Sequence, residues 1–367
     1  LGLNQPEKAI GALQKQIALN PYDEYAYYHL GRAYSQLHKY AEAETAFKKQ
    51  LEINPLDTAT PSALGALYMN RGQFDQAAVQ YERAAALNPK QSGPLVQLGK
   101  VYLDLHRTDD ALKAFDRAVA MSPTPLTWND VAYEMALGGV QLDTAQRYAE
   151  SAVAAQTAAA RNLDLERVDG PALGVINSLA AYWDTLGWVY FAKGDMRQAE
   201  KYVAPAWQLA QAAEVGDHLG QIYEKEGRRA DALRMFAEAL ARPNPADNVR
   251  EHLRAVAGPT SAPDSLVTKY RDELQAAQTW HLDFKGASPV KLDVVLLVAP
   301  PAQIEGVRIV GADQGPPGLS DALKKFHGAG MFPDNAPAKL LRIGTVSCRE
   351  HDCSLTLTAA GDAKPIK

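Results

Sequence analysis

A Leu-Gly pair followed three residues later by tyrosine recurs at Leu30, Gly31 and Tyr34, at Leu64, Gly65 and Tyr68, and at Leu98, Gly99 and Tyr102, so the glycines stand 34 residues apart. Twelve residues after each glycine comes an alanine (Ala43, Ala77, Ala111), four further on an aromatic (Phe47, Tyr81, Phe115), and a proline closes the unit (Pro55, Pro89, Pro123). A fixed period of this length means stacked supersecondary units, each of which buries its apolar face only against its neighbours. The spacing reads as two antiparallel helices. They approach where glycine or alanine faces the partner, the aromatic ring fills the space beside them, and proline ends the second helix.

This pattern resembles the tetratricopeptide repeat (TPR). Weaker copies follow at Ala132, Tyr133 and Ala145, at Trp183, Leu186, Gly187, Tyr190 and Ala199, and at Leu219, Gly220, Tyr223, Ala232 and Phe236. Six helix pairs are expected, starting near Glu24, Thr58, Ser92, Leu126, Ala180 and Ala213. Ahead of them, Ala9, Leu13 and Pro21 fall where a preceding second helix would place them; Leu1 therefore lies inside a repeat, and an upstream region is expected. The fold class is mainly α: a TPR solenoid, a right-handed superhelix of helix pairs over 1–246, then capping or linking helices over 247–278 and a small α+β domain over 279–367.

From Tyr133 to Gly187 the interval is 54 residues, 20 more than the period, which places an insertion near 150–178. Asp143 to Asn162 reads as one long alanine-rich helix, followed by the turn-prone Val168, Asp169, Gly170 and Pro171. Residues 182–190 (Tyr-Trp-Asp-Thr-Leu-Gly-Trp-Val-Tyr), Ala206 with Trp207, and 216–220 (Gly-Asp-His-Leu-Gly) resemble TPR proteins of soil bacteria, notably acidobacteria. That resemblance implies a bacterial cell-envelope protein, periplasmic or otherwise exported, in which such repeats follow an N-terminal domain and a transglutaminase-like domain. It supplies no catalytic residue within this chain.

In TPR proteins the first helix of each pair lines the concave face. That register picks Tyr25, Tyr28, Arg32 and Gln36 in the first pair, Lys100 and Asp104 in the third, Asp130 and Glu134 in the fourth, Asp184 and Trp188 in the fifth, and Asp217, Gln221 and Glu224 in the sixth. The groove is aromatic and basic early and acidic later. Asp130 and Glu134, one turn apart, are expected to reinforce each other's charge and to suit a cationic ligand, or else to be ordinary solvated positions. The lysine and asparagine clamp of chaperone-binding TPR domains is absent, since Tyr28, Arg32, Ala63, Gly93 and Gln97 stand at the corresponding positions.

Beyond Thr279 apolar residues alternate with polar ones, which predicts strands near 279–285, 290–299 and 304–310, a helix at 319–327, and strands at 339–347 and 353–359. Val294 to Val310, Leu319 to Phe326, Phe332 with Pro333, and Lys339 to Val346 resemble the C-terminal domain of TonB-type proteins, which implies an envelope location. Cys348 and Cys353, the only cysteines, sit at the ends of a hairpin loop within reach of a disulfide, which implies an oxidising compartment. The alternative is a metal site of Cys348, His351 and Cys353, for which no fourth ligand is evident.

A net charge of -5 gives no positive field for nucleic acid. The longest apolar run, Val294 to Ala299, is far short of the roughly twenty residues that span a bilayer. No phosphate loop, nucleophile elbow, zinc-protease run or dinucleotide fingerprint occurs. His29 and His218 fall on helix faces, His38 and His106 near turns, and Trp183, Trp188 and Trp207 read as packing. The expected function is a scaffold that holds a protein or peptide, with no enzyme activity and no cofactor. The alternatives are an accessory region of a larger envelope enzyme and a structural envelope component acting through the β domain.

Overall fold

The computed structural model describes residues 5–258, 262–284, 290–311, 316–326, 331–333, 336–349 and 352–366, the side chains of Gln275 and Val290 excepted. Its contacts divide into two units, Leu1–Glu134 and Met135–Lys367.

In the first unit α1 (Pro6–Leu19) precedes three hairpins: α2 (Ala26–Gln36) with α3 (Tyr40–Ile53), α4 (Thr60–Asn70) with α5 (Phe74–Leu87), and α6 (Gly93–Asp104) with α7 (Thr108–Met121). The repeat glycines explain how closely the helices nest. A Cβ on Gly31 would stand 2.6 Å from the Phe47 ring, one on Gly65 2.8 Å from Tyr81, and one on Gly99 2.2 Å from Phe115. Ala43, Ala77 and Ala111 are fully buried. After the first helix of each hairpin the chain turns through a left-handed residue, His38 (φ 55°), Gly72 (φ 67°) or His106 (φ 56°), which exposes the last carbonyls to capping by the following amides. α1 buries Ala9 and Leu13, the two positions expected of a preceding second helix.

α8 (Pro125–Leu137) runs across the boundary between the units. The second unit continues with α9 (Leu142–Ala160), α10 (Gly170–Ala192), α11 (Met196–Ala210), α12 (Ala213–Lys225), α13 (Arg229–Leu240), α14 (Asp247–Ala257) and α15 (Pro263–Ala277). The glycine-to-aromatic contact persists between Gly220 and Phe236 at 2.5 Å, whereas Gly187 meets Val203 at 2.4 Å. α10 starts at Gly170, ten residues before the repeat register places it. The residues read as a turn are its N-terminus: Asp169 Oδ1 accepts the amide of Ala172 at 2.9 Å and Pro171 sits in the first turn, where a missing N–H costs nothing.

The remaining elements form one antiparallel sheet in the order β1-β5-β4-β2-β3, from β1 (Thr279–Leu282), β2 (Val290–Ala299), β3 (Gln303–Ile309), β4 (Leu340–Arg349) and β5 (Asp352–Leu357), with α16 (Leu319–Lys324) between β3 and β4. The β-β-β-α-β-β order expected from alternation is present. A register shift between Leu297 and Val298 leaves Glu305 opposite no partner. Cys348 and Cys353 face each other across β4 and β5 and are joined as a disulfide, with Cα atoms 4.1 Å apart. His351, the third member of the metal alternative, lies outside the described residues.

The sheet and the helices of this unit share one hydrophobic core. Trp183, fully buried, meets Phe332 edge-on with ring centroids 6.5 Å apart, and Leu165 fills the space above Gly306. The loop between α9 and α10 also binds the sheet through its backbone. Arg308 Nη1 donates to the carbonyls of Leu165 (3.1 Å) and Glu166 (3.2 Å), and Val168 pairs with Ile366 in an isolated bridge. The extra residues between the fourth and fifth repeats thus lengthen two helices beyond repeat size and form part of the sheet's seat.

Candidate functional site

The first-helix positions fall into two groups. In the first unit they remain open. Tyr28, Arg32, Ser35 and Gln36 on α2, Ser62, Ala63, Ala66 and Asn70 on α4, and Gln91 ahead of α6 line a groove of about 670 Å³. The helical period puts residues 28, 32 and 36 on one face of α2, and 62, 66 and 70 on one face of α4. Small side chains at Ala63 and Ala66 leave room between them. Arg32 rests its guanidinium near the Tyr28 ring, 5.8 Å from its centroid, and no carboxylate among the described residues pairs with it. Tyr25, one turn earlier, is 61% exposed, and Tyr22 beside it 77%. An exposed aromatic edge leading to an unmatched guanidinium and a row of hydroxyls and amides can grip an extended chain and receive an anionic group.

In the third and fourth pairs Glu134 and Asp130 are drawn inward. Lys100 Nζ lies 3.4 Å from Glu134 Oε1, joining consecutive repeats, and Glu134 is buried at 8% exposure. Burial holds the Glu134 carboxyl above its ordinary pKa, Lys100 works against that, and Asp104 and Asp130 add to the rise. Burial raises Asp130 as well, opposed by the hydrogen bond from Asn129 Nδ2 at 3.3 Å. The expectation that Asp130 and Glu134 present joint negative charge is corrected for Glu134: its partner is the chain's own lysine. Asp104 is exposed.

In the second unit three predicted groove residues are interior. Asp184 and His218, both buried, are bonded through Nδ1 at 3.0 Å to each carboxylate oxygen. Trp188 is sandwiched on His218 (centroids 4.0 Å apart) and Phe191 (4.5 Å). Asp217 accepts from Gln221 Nε2 at 2.9 Å and is bonded to His252 Nδ1 of α14 at 2.7 Å. Burial pulls the His218 pKa down, but the charge and hydrogen bond of Asp184 outweigh it and the net direction is upward. These side chains tie α10, α12 and α14 together; a ligand cannot reach them without displacing those bonds, and only Glu224 is exposed. His252 was not singled out in the sequence, since nothing in the repeat pattern announces which later helix meets the sixth pair.

Family models described as tetratricopeptide repeat match residues 24–55, 68–129 and 217–248. The chain carries tetratricopeptide repeats. Among solved structures it is similar to a tetratricopeptide repeat protein from Parabacteroides merdae, at 16% identity and a TM-score of 0.53 over 69% of this chain and 93% of that one. It is similar too to the APC/C hetero-tetramer Cut9-Hcn1, at 18% identity and a TM-score of 0.47 over 69% of this chain, which spans only 46% of that chain's length. YrrB, a TPR protein with an unusual peptide-binding site, aligns at 18% identity and a TM-score of 0.36 over 60% of this chain and 96% of that one. At these identities the likeness bears on fold alone. No curated protein matches the sequence. Among the described residues no helix is long and apolar enough to cross a membrane, and no cluster of three or more metal-ligating side chains occurs.

Proposed function

We propose that the chain is a protein-interaction scaffold that holds an extended polypeptide segment in the groove between α2 and α4, with an acidic group of that segment on Arg32. The observation that carries this is the unmatched guanidinium of Arg32 inside an open groove lined with hydroxyls and amides, next to exposed tyrosines. Repeats of this kind are generally non-catalytic, and the polar groups lining the groove suit recognition rather than bond making. The bond between Cys348 and Cys353 supports an oxidising compartment such as the periplasm, in keeping with the envelope resemblance.

Fluorescence polarisation with two labelled decapeptides, one rich in glutamate and leucine and one rich in lysine and leucine, tests this. The acidic peptide should bind about tenfold more tightly at low salt, the margin of one charge-assisted contact, and the preference should shrink as salt rises. Arg32→Glu should abolish it. Equal binding of both peptides by wild type, or a preference untouched by Arg32→Glu, would overturn the assignment.

A further inference from the structure

Between α11, α12, α13 and α15 lies a pocket of about 170 Å³, room for about five or six water molecules at ~30 Å³ each. It exists because the hairpin of α12 and α13 is followed by α14 and α15, which carry no repeat glycine to draw the helices together. On its wall stands Glu238, whose side chain is completely buried. Arg234, one turn earlier on α13, donates Nε to Glu238 Oε1 at 2.7 Å, while Oε2 has no donor in hydrogen-bond geometry, although the Trp207 indole stands near enough to the carboxyl to stabilise its charged form. A buried carboxylate oxygen left without a donor is costly, and such groups are normally satisfied. Gln211 and Gln278, also on the wall, are bonded to one another through their amides.

The charged groups around the pocket are paired, which leaves the Glu238 Oε2 acceptor to set the preference for a donor. Arg234 is matched by Glu238, and Asp231 at the rim is engaged by Arg228. Glu273 of α15, itself 3.8 Å from Lys269 Nζ, acts on the Glu238 carboxyl, whose pKa is raised first by burial, with Arg234 and the Trp207 indole opposing. The remaining walls are aromatic and aliphatic, with Trp207, Leu219, Met235 and Tyr223, one face of which already carries the Arg228 guanidinium 3.9 Å from the ring centroid, and aromatic faces attract ammonium groups. We propose that this pocket binds a small organic cation bearing a primary ammonium group, which donates to Glu238 Oε2 and lays its apolar body against Trp207, Leu219 and Met235. An anion is disfavoured, because the unsatisfied group is an acceptor. The pocket shares no residue with the groove of the first unit, so either assignment stands or falls without the other.

Calorimetric titration of the full chain with n-butylammonium chloride at fixed ionic strength tests the proposal, with 1-butanol as the neutral probe of similar shape. Saturable binding is expected, about tenfold or more tighter than for 1-butanol and weakening as pH falls and Glu238 protonates. Glu238→Gln should remove most of this preference. Ala204→Leu, which narrows the pocket while leaving the Arg234 and Glu238 pair intact, should weaken binding by a similar factor, and it decides the matter if Glu238→Gln does not fold. Heats for wild type equal to those of sodium chloride would show a cavity that holds water only and would overturn the proposal. So would equal binding by wild type and Ala204→Leu.

Discussion

Gly99 and Asp184 show how single side chains set the limits of this molecule. At Gly99 a methyl group would stand 2.2 Å from Phe115, and the ring is packed on all sides, so Gly99→Ala forces either the ring off its rotamer or the helices apart. A loss of about 1–3 kcal/mol is expected from such overpacking. Gly93, at the start of α6 with nothing within 4 Å of its Cβ direction, should accept alanine with little change or a small gain. Urea midpoints of the two variants measure the contrast. Asp184 acts through His218. Its folded pKa lies above the unfolded value, so the pair's contribution is full below about pH 6.5 and is lost as pH rises through the folded pKa. Asp184→Asn should cost about 3–5 kcal/mol near pH 6, the scale of breaking a buried pair. The gap between wild type and variant should narrow at pH 9, and a gap constant with pH would refute the linkage.

At the scale of elements, α10 carries the most information. Its N-terminus is fixed by the Asp169 cap, and its first ten residues lie outside the repeat register, where they join the loop before them in seating the sheet. Asp169→Ala should lower the urea midpoint, and hydrogen exchange should show faster amides at Ala172 and Leu173, with α12 unaffected. The hairpins of the first unit were legible because a glycine facing an aromatic at a constant interval is a packing rule written in sequence. The start of α10 is not legible in the sequence because Asp-Gly-Pro is compatible with a turn and with a capped helix alike, and only the apolar residues of the sheet decide between them. The fate of Asp184, Trp188 and Asp217 was illegible for a related reason. The repeat register fixes which way a side chain points; the bulk of Trp188, Phe191 and His218 fixes whether any groove remains there.

At the scale of the molecule, the two units use one repeat differently. In the first, small residues on α4 leave the face beside α2 open, and an arginine stands in it without an acid. In the second, aromatic rings and histidine–aspartate pairs close the equivalent positions, and the helices instead share a core with the sheet. The function proposed above therefore places the capacity to hold a partner in residues of α2 and α4. Amide chemical-shift mapping of the full chain, titrated with the glutamate-rich decapeptide, tests that most directly. Saturable shifts should cluster at Tyr28, Arg32, Gln36, Ser62 and Asn70, with α3 and α5 outward positions such as Lys48 and Val79 unmoved. Shifts centred on those outward positions, or on the second unit alone, would contradict the account.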